Sequence, residues 1–233
     1  ERKTRLTYRL MFGPATFGAL AWLQQNESCL DCVHYGLVLS CLGDGGGPHY
    51  KRSRRGDAAI DQIMDYVLNS SDLTRASMLD FWPYGYDERQ FCSPGFNLPV
   101  GMLERSLYGT FPEYHTSADN LDFIKPEYLE QSYQMIMQAI DIAERNWVPV
   151  STSPKGEPQL GKRGLYSNVG GDKQAAENAM AVLWVLNLAD GSFSIFEMSR
   201  RAKLPFALMA DAADRLLAVG LLKAVANHDL SGK

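Results

Sequence analysis

The reactive potential of this 233-residue chain is concentrated in one histidine and one charged triplet. His115 lies in Tyr114-His115-Thr116-Ser117-Ala118-Asp119-Asn120. Asp87-Glu88-Arg89 lies in an aromatic, Pro/Gly-rich run from Tyr84 to Pro99. A hydrolytic zinc site needs about three protein ligands and one open position for water, whose pKa falls to about 7 on the metal. Of the four histidines, only His115 has a context that suggests a ligand; His34, His49 and His228 read as surface or loop residues. The triplet has two readings. One gives a carboxylate to a metal or substrate amine and Arg89 to a substrate carboxylate, as a planar two-pronged donor. The other is an internal ion-pair cluster that fixes the loop. Both stay open.

Other polar residues carry weaker signals. Asp44, beside its glycines, either lines a cleft or caps a turn. Asp119 suits capping or orienting a helix after His115, with a hydrogen bond to that ligand as the alternative. Lys51-Arg52-Ser53-Arg54-Arg55 is the one basic run: a solvated loop by default, or a grip on an acidic or phosphorylated group. Cys29-Leu-Asp-Cys32 with His34 outlines half a zinc site, but no second pair completes it, so incidental thiols are expected. Cys92 has no adjacent histidine to activate it and reads as packing.

These residues need elements to hold them. Leu6 to Phe12 is rich in apolar residues and predicts a strand; Thr16 to Gln24 predicts a helix. Tyr35 to Leu42 is nearly all apolar, as in a strand covered on both faces. Ala58 to Leu68 is helical by period. Ser77 to Phe81 and Pro99 to Arg105 predict strands, and Pro126 to Arg145 a long amphipathic helix. Alternating strands and helices imply an α/β layered domain over 1–146, with its site in loops beyond the strand ends.

The pattern breaks after Trp147. Pro149, Pro154, Pro158 and several glycines predict an extended linker over 147–172. In 173–233, helices over Ala175 to Leu188, Ser194 to Ala202 and Leu204 to Val219, then a strand over Leu221 to Ala226, outline a winged helix-turn-helix. Its candidate recognition helix carries Asp211 and Asp214 against only Arg215, so protein docking is expected rather than DNA binding.

Bulk composition agrees. The formal net charge is -4, which argues against general affinity for nucleic acid or anionic membrane. No apolar run approaches the roughly 20 residues of a membrane span. Four cysteines, unevenly placed, suit a reduced cytoplasmic setting.

Several stretches together resemble a bacterial family of aminopeptidase-like proteins, often labelled polysaccharide-biosynthesis proteins with an aminopeptidase-like domain. They are Gly43-Asp44 leading to Tyr50 through Gly56, the Tyr84 to Pro99 run, Glu113 to Ile124, and Gly156 to Tyr166 ending in Gly170-Gly171. The resemblance covers essentially the whole chain. It implies a three-layer zinc-aminopeptidase-like sheet domain, present in part, followed by the winged helix. It also implies a zinc cofactor with His115 as a ligand, and Asp87, Glu88 and Arg89 acting on substrate. Asp44, Tyr86 and Tyr114 would bind that substrate, a small peptide-like or aminoacyl compound.

The same resemblance marks departures. In such proteins an upstream segment supplies a His and an Asp for the first metal, so this chain looks like a C-terminal half. Ala15 stands where a general-base Glu is expected, and Ser40 stands in register with an Asp ligand. The expectation is therefore a zinc-dependent hydrolase of an amide or peptide-like bond that this chain does not complete alone. The alternative is a non-catalytic module that binds or assembles, with the winged helix recruiting a protein partner or a second copy.

Overall fold

A computed structural model describes residues 3–70, 75–165 and 173–225. His228, Tyr166 and Gly170-Gly171 lie outside the described residues. The chain divides into two compact units, the first ending at Ile140 and the second beginning at Asp141.

The first unit is built on a four-stranded sheet. Its elements are α1 (Phe17–Asn26), β1 (Gly36–Leu39), β2 (His49–Lys51), α2 (Ala59–Ser70), β3 (Ser77–Leu79), α3 (Glu88–Phe91), β4 (Val100–Glu104) and most of α4 (Pro126–Arg145). The strand order is β1-β4-β2-β3. β1 runs parallel to β4 and β2 parallel to β3, while β2 and β4 are antiparallel with His49 opposite Glu104 and Lys51 opposite Met102. Successive strand side chains point to opposite faces, so Lys51, Val100, Met102 and Glu104 share one face and Tyr50 and Leu103 the other.

Helices cover both faces. Val100 packs with Ala19 and Leu23 of α1, Phe91 of α3, Leu30 and Leu98. On the opposite face the Tyr50 hydroxyl donates to Asp61 of α2 at 2.8 Å. The hydroxyl end of the Tyr50 ring lies against Gly101, where any side chain would collide with it. α2 buries Ile60, Ile63, Met64, Val67 and Leu68, the stripe its period predicts. Asp61 is buried with them and accepts from Ser53 N, Ser53 Oγ and Ala58 N at 2.7, 2.6 and 2.9 Å.

Two expectations fail here. Leu6 to Phe12 forms no strand, and Leu10 and Phe12 are 82% and 94% exposed. Apolar content alone specifies no pairing partner, and among the described residues none lies alongside. β1 is half-buried rather than covered on both faces, because it is the edge of the sheet and Leu39 is open to solvent.

The second unit contains β5 (Pro149–Ser151), α5 (Lys173–Leu188), α6 (Ile195–Ala202), α7 (Phe206–Ala218) and β6 (Leu222–Ala224). Ala181, Val185, Ile195, Met198, Met209, Ala213 and Leu216 form its buried interior. Ser194 and Glu197 close a capping box on α6, satisfying two backbone donors reciprocally. β5 and β6 pair antiparallel, Pro149 opposite Ala224. The stretch expected to be a linker over 147–172 therefore opens with a strand of the winged unit. Three residues are too few to show alternation, and a proline at a strand's first position is compatible with pairing.

Candidate functional site

The sheet face under α3 holds a buried charge layer. The Lys51 ammonium donates to Glu88 Oε1 at 2.7 Å and to the Tyr84 carbonyl at 2.6 Å, and both ionic side chains are fully buried. The second Glu88 oxygen accepts from the Tyr86 backbone N–H at 3.0 Å. The ammonium also lies 4.3 Å from the Trp82 ring centroid and 5.3 Å from that of Phe81, where ring quadrupoles favour a cation. Gly85 passes so close to this pair, at φ 154°, that a methyl group there would strike the Glu88 carboxylate.

Glu104 ends β4 within the same layer, fully buried. Its Oε2 accepts from Tyr108 N at 3.3 Å, while Oε1 has no hydrogen-bond partner among the described residues. Burial pushes its carboxyl up to about 7. The charges of Glu88 and Asp44 push the same way, against the Tyr108 N–H and the Lys51 cation. Desolvation wins because no donor comes to the free oxygen.

Around this layer the aromatic residues of the Tyr84 run interlock. Trp82 Nε1 donates to the Tyr108 hydroxyl at 2.7 Å, which donates to the Tyr84 carbonyl at 3.0 Å. Tyr86 meets Tyr108 edge-on at 5.5 Å, and its hydroxyl lies 2.8 Å from that of Tyr114. Burial raises the Tyr86 phenol pKa well above its ordinary value.

An open cleft of about 1030 Å³ lies beside this assembly. Residues 9–15, α1, the end of β1 with Ser40 just beyond it, and Tyr86 and Asp87 line it. Asp87 accepts a short hydrogen bond from Thr16 N at its edge. Ala15 is among the lining residues, so a methyl group occupies the wall where a general base was expected.

The charged triplet is thus dispersed. Asp87 faces the large cleft, Glu88 is sealed against Lys51, and Arg89 lines a different and smaller pocket. Residues at the start of a helix point about 100° apart, so three neighbours cannot share one cavity. Asp44 is buried and committed: it accepts from Ser106 Oγ at 2.6 Å and from Gly46 N at 2.7 Å, the turn-capping arrangement. Tyr86 and Tyr114 do come together.

His115 stands on an exposed turn at φ 58°, its ring stacked on Tyr114 with centroids 4.0 Å apart. It lines neither cleft. The segment after it runs through turns, so α4 opens at Pro126 rather than beside Asp119, which is exposed. Among the described residues no group of three or more His, Cys, Asp or Glu side chains is placed to hold a metal ion. The donor set does not fit zinc unaided. Cys29 and Cys32 are exposed free thiols, and Cys92 is buried with its thiol pKa pushed up by burial.

Lys51, Glu104 and the Tyr50–Asp61 pair escaped sequence reasoning. Lys51 read as part of a solvated run, yet it closes β2 and is wholly buried. The alternation His49-Tyr50-Lys51 after Gly-Gly-Gly-Pro was the available signal.

The chain thus combines an α/β layered unit carrying an open cleft with a winged-helix unit. The chain belongs to the family described as a domain of unknown function (DUF4910), matched over residues 1–146, and a winged helix-turn-helix family matches 147–224. It is 44% identical over 96% of its length to a Clostridium acetobutylicum protein described as "Putative polysaccharide biosynthesis protein with aminopeptidase-like domain". It is also similar, at 42% identity and a TM-score of 0.85 over 96% of the chain, to the crystal structure of a "putative peptidase" from that organism. The chain spans about half the length of these relatives, 51% and 50% respectively.

Proposed function

We propose that this chain contributes part of a cytoplasmic, zinc-dependent hydrolase acting on an amide or peptide-like bond. Its substrate would be a small peptide-like or aminoacyl compound. The similarity to an aminopeptidase-like protein over nearly the whole chain supports this reading. The cleft bordered by Tyr86 and Asp87 is where such a substrate would sit. Asp87 would meet the substrate amine and Tyr86 and Tyr114 would border it. Glu88 acts through Tyr86, whose N–H it holds. His115 would supply one zinc ligand, and the others would come from beyond the described residues.

A second reading, a non-catalytic binding or assembly module, is favoured by one observation: Ala15 in the cleft wall cannot move a proton. In either case the winged helix would take a protein partner or a second copy. On the outer face of α7, Asp211 and Asp214 are both bridged by Arg145, at 2.6 and 2.9 Å, and Arg215 and Leu217 are exposed beside them, which suits protein contact better than a phosphate backbone.

Metal analysis tests the first reading on both this chain and a protein of the relatives' length. The longer protein should carry at least about one zinc per chain, lose it on His115→Ala, and hydrolyse aminoacyl amides. A metal-free longer protein at neutral pH, or unchanged zinc in the His115→Ala variant, would leave the binding module.

A further inference from the structure

Arg89 poses a problem that the proposed hydrolase does not use. Its Nε is buried and has no hydrogen-bond partner among the described residues. Among the described residues it forms no salt bridge, and its guanidinium lies 5.8 Å from the centroid of the Tyr84 ring. A buried N–H donor left unpaired is costly and calls for an explanation. The side chain lines a pocket of about 360 Å³, at the small end of the range for small-molecule sites.

The rest of that pocket supplies the explanation. Arg54 is its second cation, and no aspartate or glutamate lines it. Arg54 is held in place by its backbone N–H on Cys92 Sγ at 3.4 Å and by Nη1 donating to Asn97 Oδ1 at 3.1 Å. It has no salt bridge among the described residues either. Gln90 and Ser93 add neutral polar groups, and Phe81, Pro83 and Pro94 form apolar wall. The protein as a whole is acidic, with a formal charge of -4, so two unneutralised arginines on one concavity run against its overall balance.

We propose that this pocket, between Arg54 and Arg89, binds a small organic molecule through its oxyanion group. The two guanidiniums are forked donors matched to a carboxylate or phosphate. The Phe81 and proline wall receives the apolar body behind that group. Because Arg54 is anchored and Arg89 stands on α3, the site is formed before its ligand arrives, which lowers the entropic cost of binding. This assignment is independent of the zinc reading, since the pocket shares no lining residue with the larger cleft.

Isothermal titration of the purified chain with phenyl phosphate, benzoate and inorganic phosphate tests it. Phenyl phosphate or benzoate should bind one to one, and more tightly than inorganic phosphate. Preference for the first marks a phosphate ester as the group carried, and for the second a carboxylate. Arg89→Gln should weaken binding by at least about tenfold, as loss of a charged hydrogen bond does. Arg54→Gln, at an exposed position where folding is not at risk, should do the same, while Arg55→Gln, outside the pocket, should leave binding unchanged. Saturation by none of the three probes at millimolar concentration would overturn the proposal. So would binding that survives Arg54→Gln.

Discussion

Replacing Glu104 by glutamine offers a direct test of the buried charge layer. The folded carboxyl titrates near 7, against 4.5 as its ordinary value. Between these two pH values the unfolded chain has lost this proton and the folded chain keeps it. Unfolding therefore releases a proton, and stability falls as pH rises through that window. The loss is complete above about pH 7. At 1.36 kcal/mol per unit the full effect is about 3 kcal/mol. Glutamine keeps the shape and an oxygen to accept from Tyr108 N, but it cannot ionise. Part of the effect is already present at pH 5, so Glu104→Gln should gain about 2.5 kcal/mol on the parent from pH 5 to pH 8. An amide N–H left unpaired where Oε1 now lies adds a constant cost of about 1 kcal/mol, which does not depend on pH. His49, opposite Glu104 in the sheet, has its pKa lowered by burial, and its titration is common to both proteins. Urea unfolding at pH 5, 6, 7 and 8, with hydrogen exchange at β4 amides to isolate the first unit, measures the difference. Parallel pH profiles for the two proteins would refute the argument.

Two further substitutions probe the same unit. Lys51→Met leaves the Glu88 carboxylate buried without its cation and should cost about 3–5 kcal/mol in urea unfolding; pairing it with Glu88→Leu should recover most of that loss. Failure of the double variant to regain stability would mean that the pair does more than neutralise itself. Asp61→Asn weakens the acceptor of four hydrogen bonds that join β2, its following turn and α2. It should cost about 2 kcal/mol and raise exchange at the Ser53 and Ala58 amides; a change below about 0.5 kcal/mol would show those bonds to be dispensable.

Much of the scaffold was legible in residue order. α4 has the bounds that its period and opening Pro126 suggest. α6 runs from just after Ser194 to Ala202, as read, and Gly220 closes the turn after α7 at φ 72°. β3 and β4 lie within the runs that predicted them. The site was less legible. Asp87, Glu88 and Arg89 looked like one functional unit and serve three different surroundings. His115 looked like a pocket residue and lies on an exposed turn. Leu6 to Phe12 looked like core and is open to solvent.

The division has a physical cause. Period, caps and breakers act over one or two turns of chain, so helices, strand positions and the winged-helix outline follow from neighbours alone. Burial of a charge depends on what the fold brings from afar. Lys51 is harmless in the interior because Glu88, 37 residues on, reaches it. Glu104 holds its proton near neutrality because the fold buries it and, among the described residues, no donor reaches its free oxygen. Arg54 and Arg89 face one pocket only because the turn after β2 and α3 meet beside it. Such encounters carry no local signature, and the side chains left unpaired by them are where chemistry remains to be found.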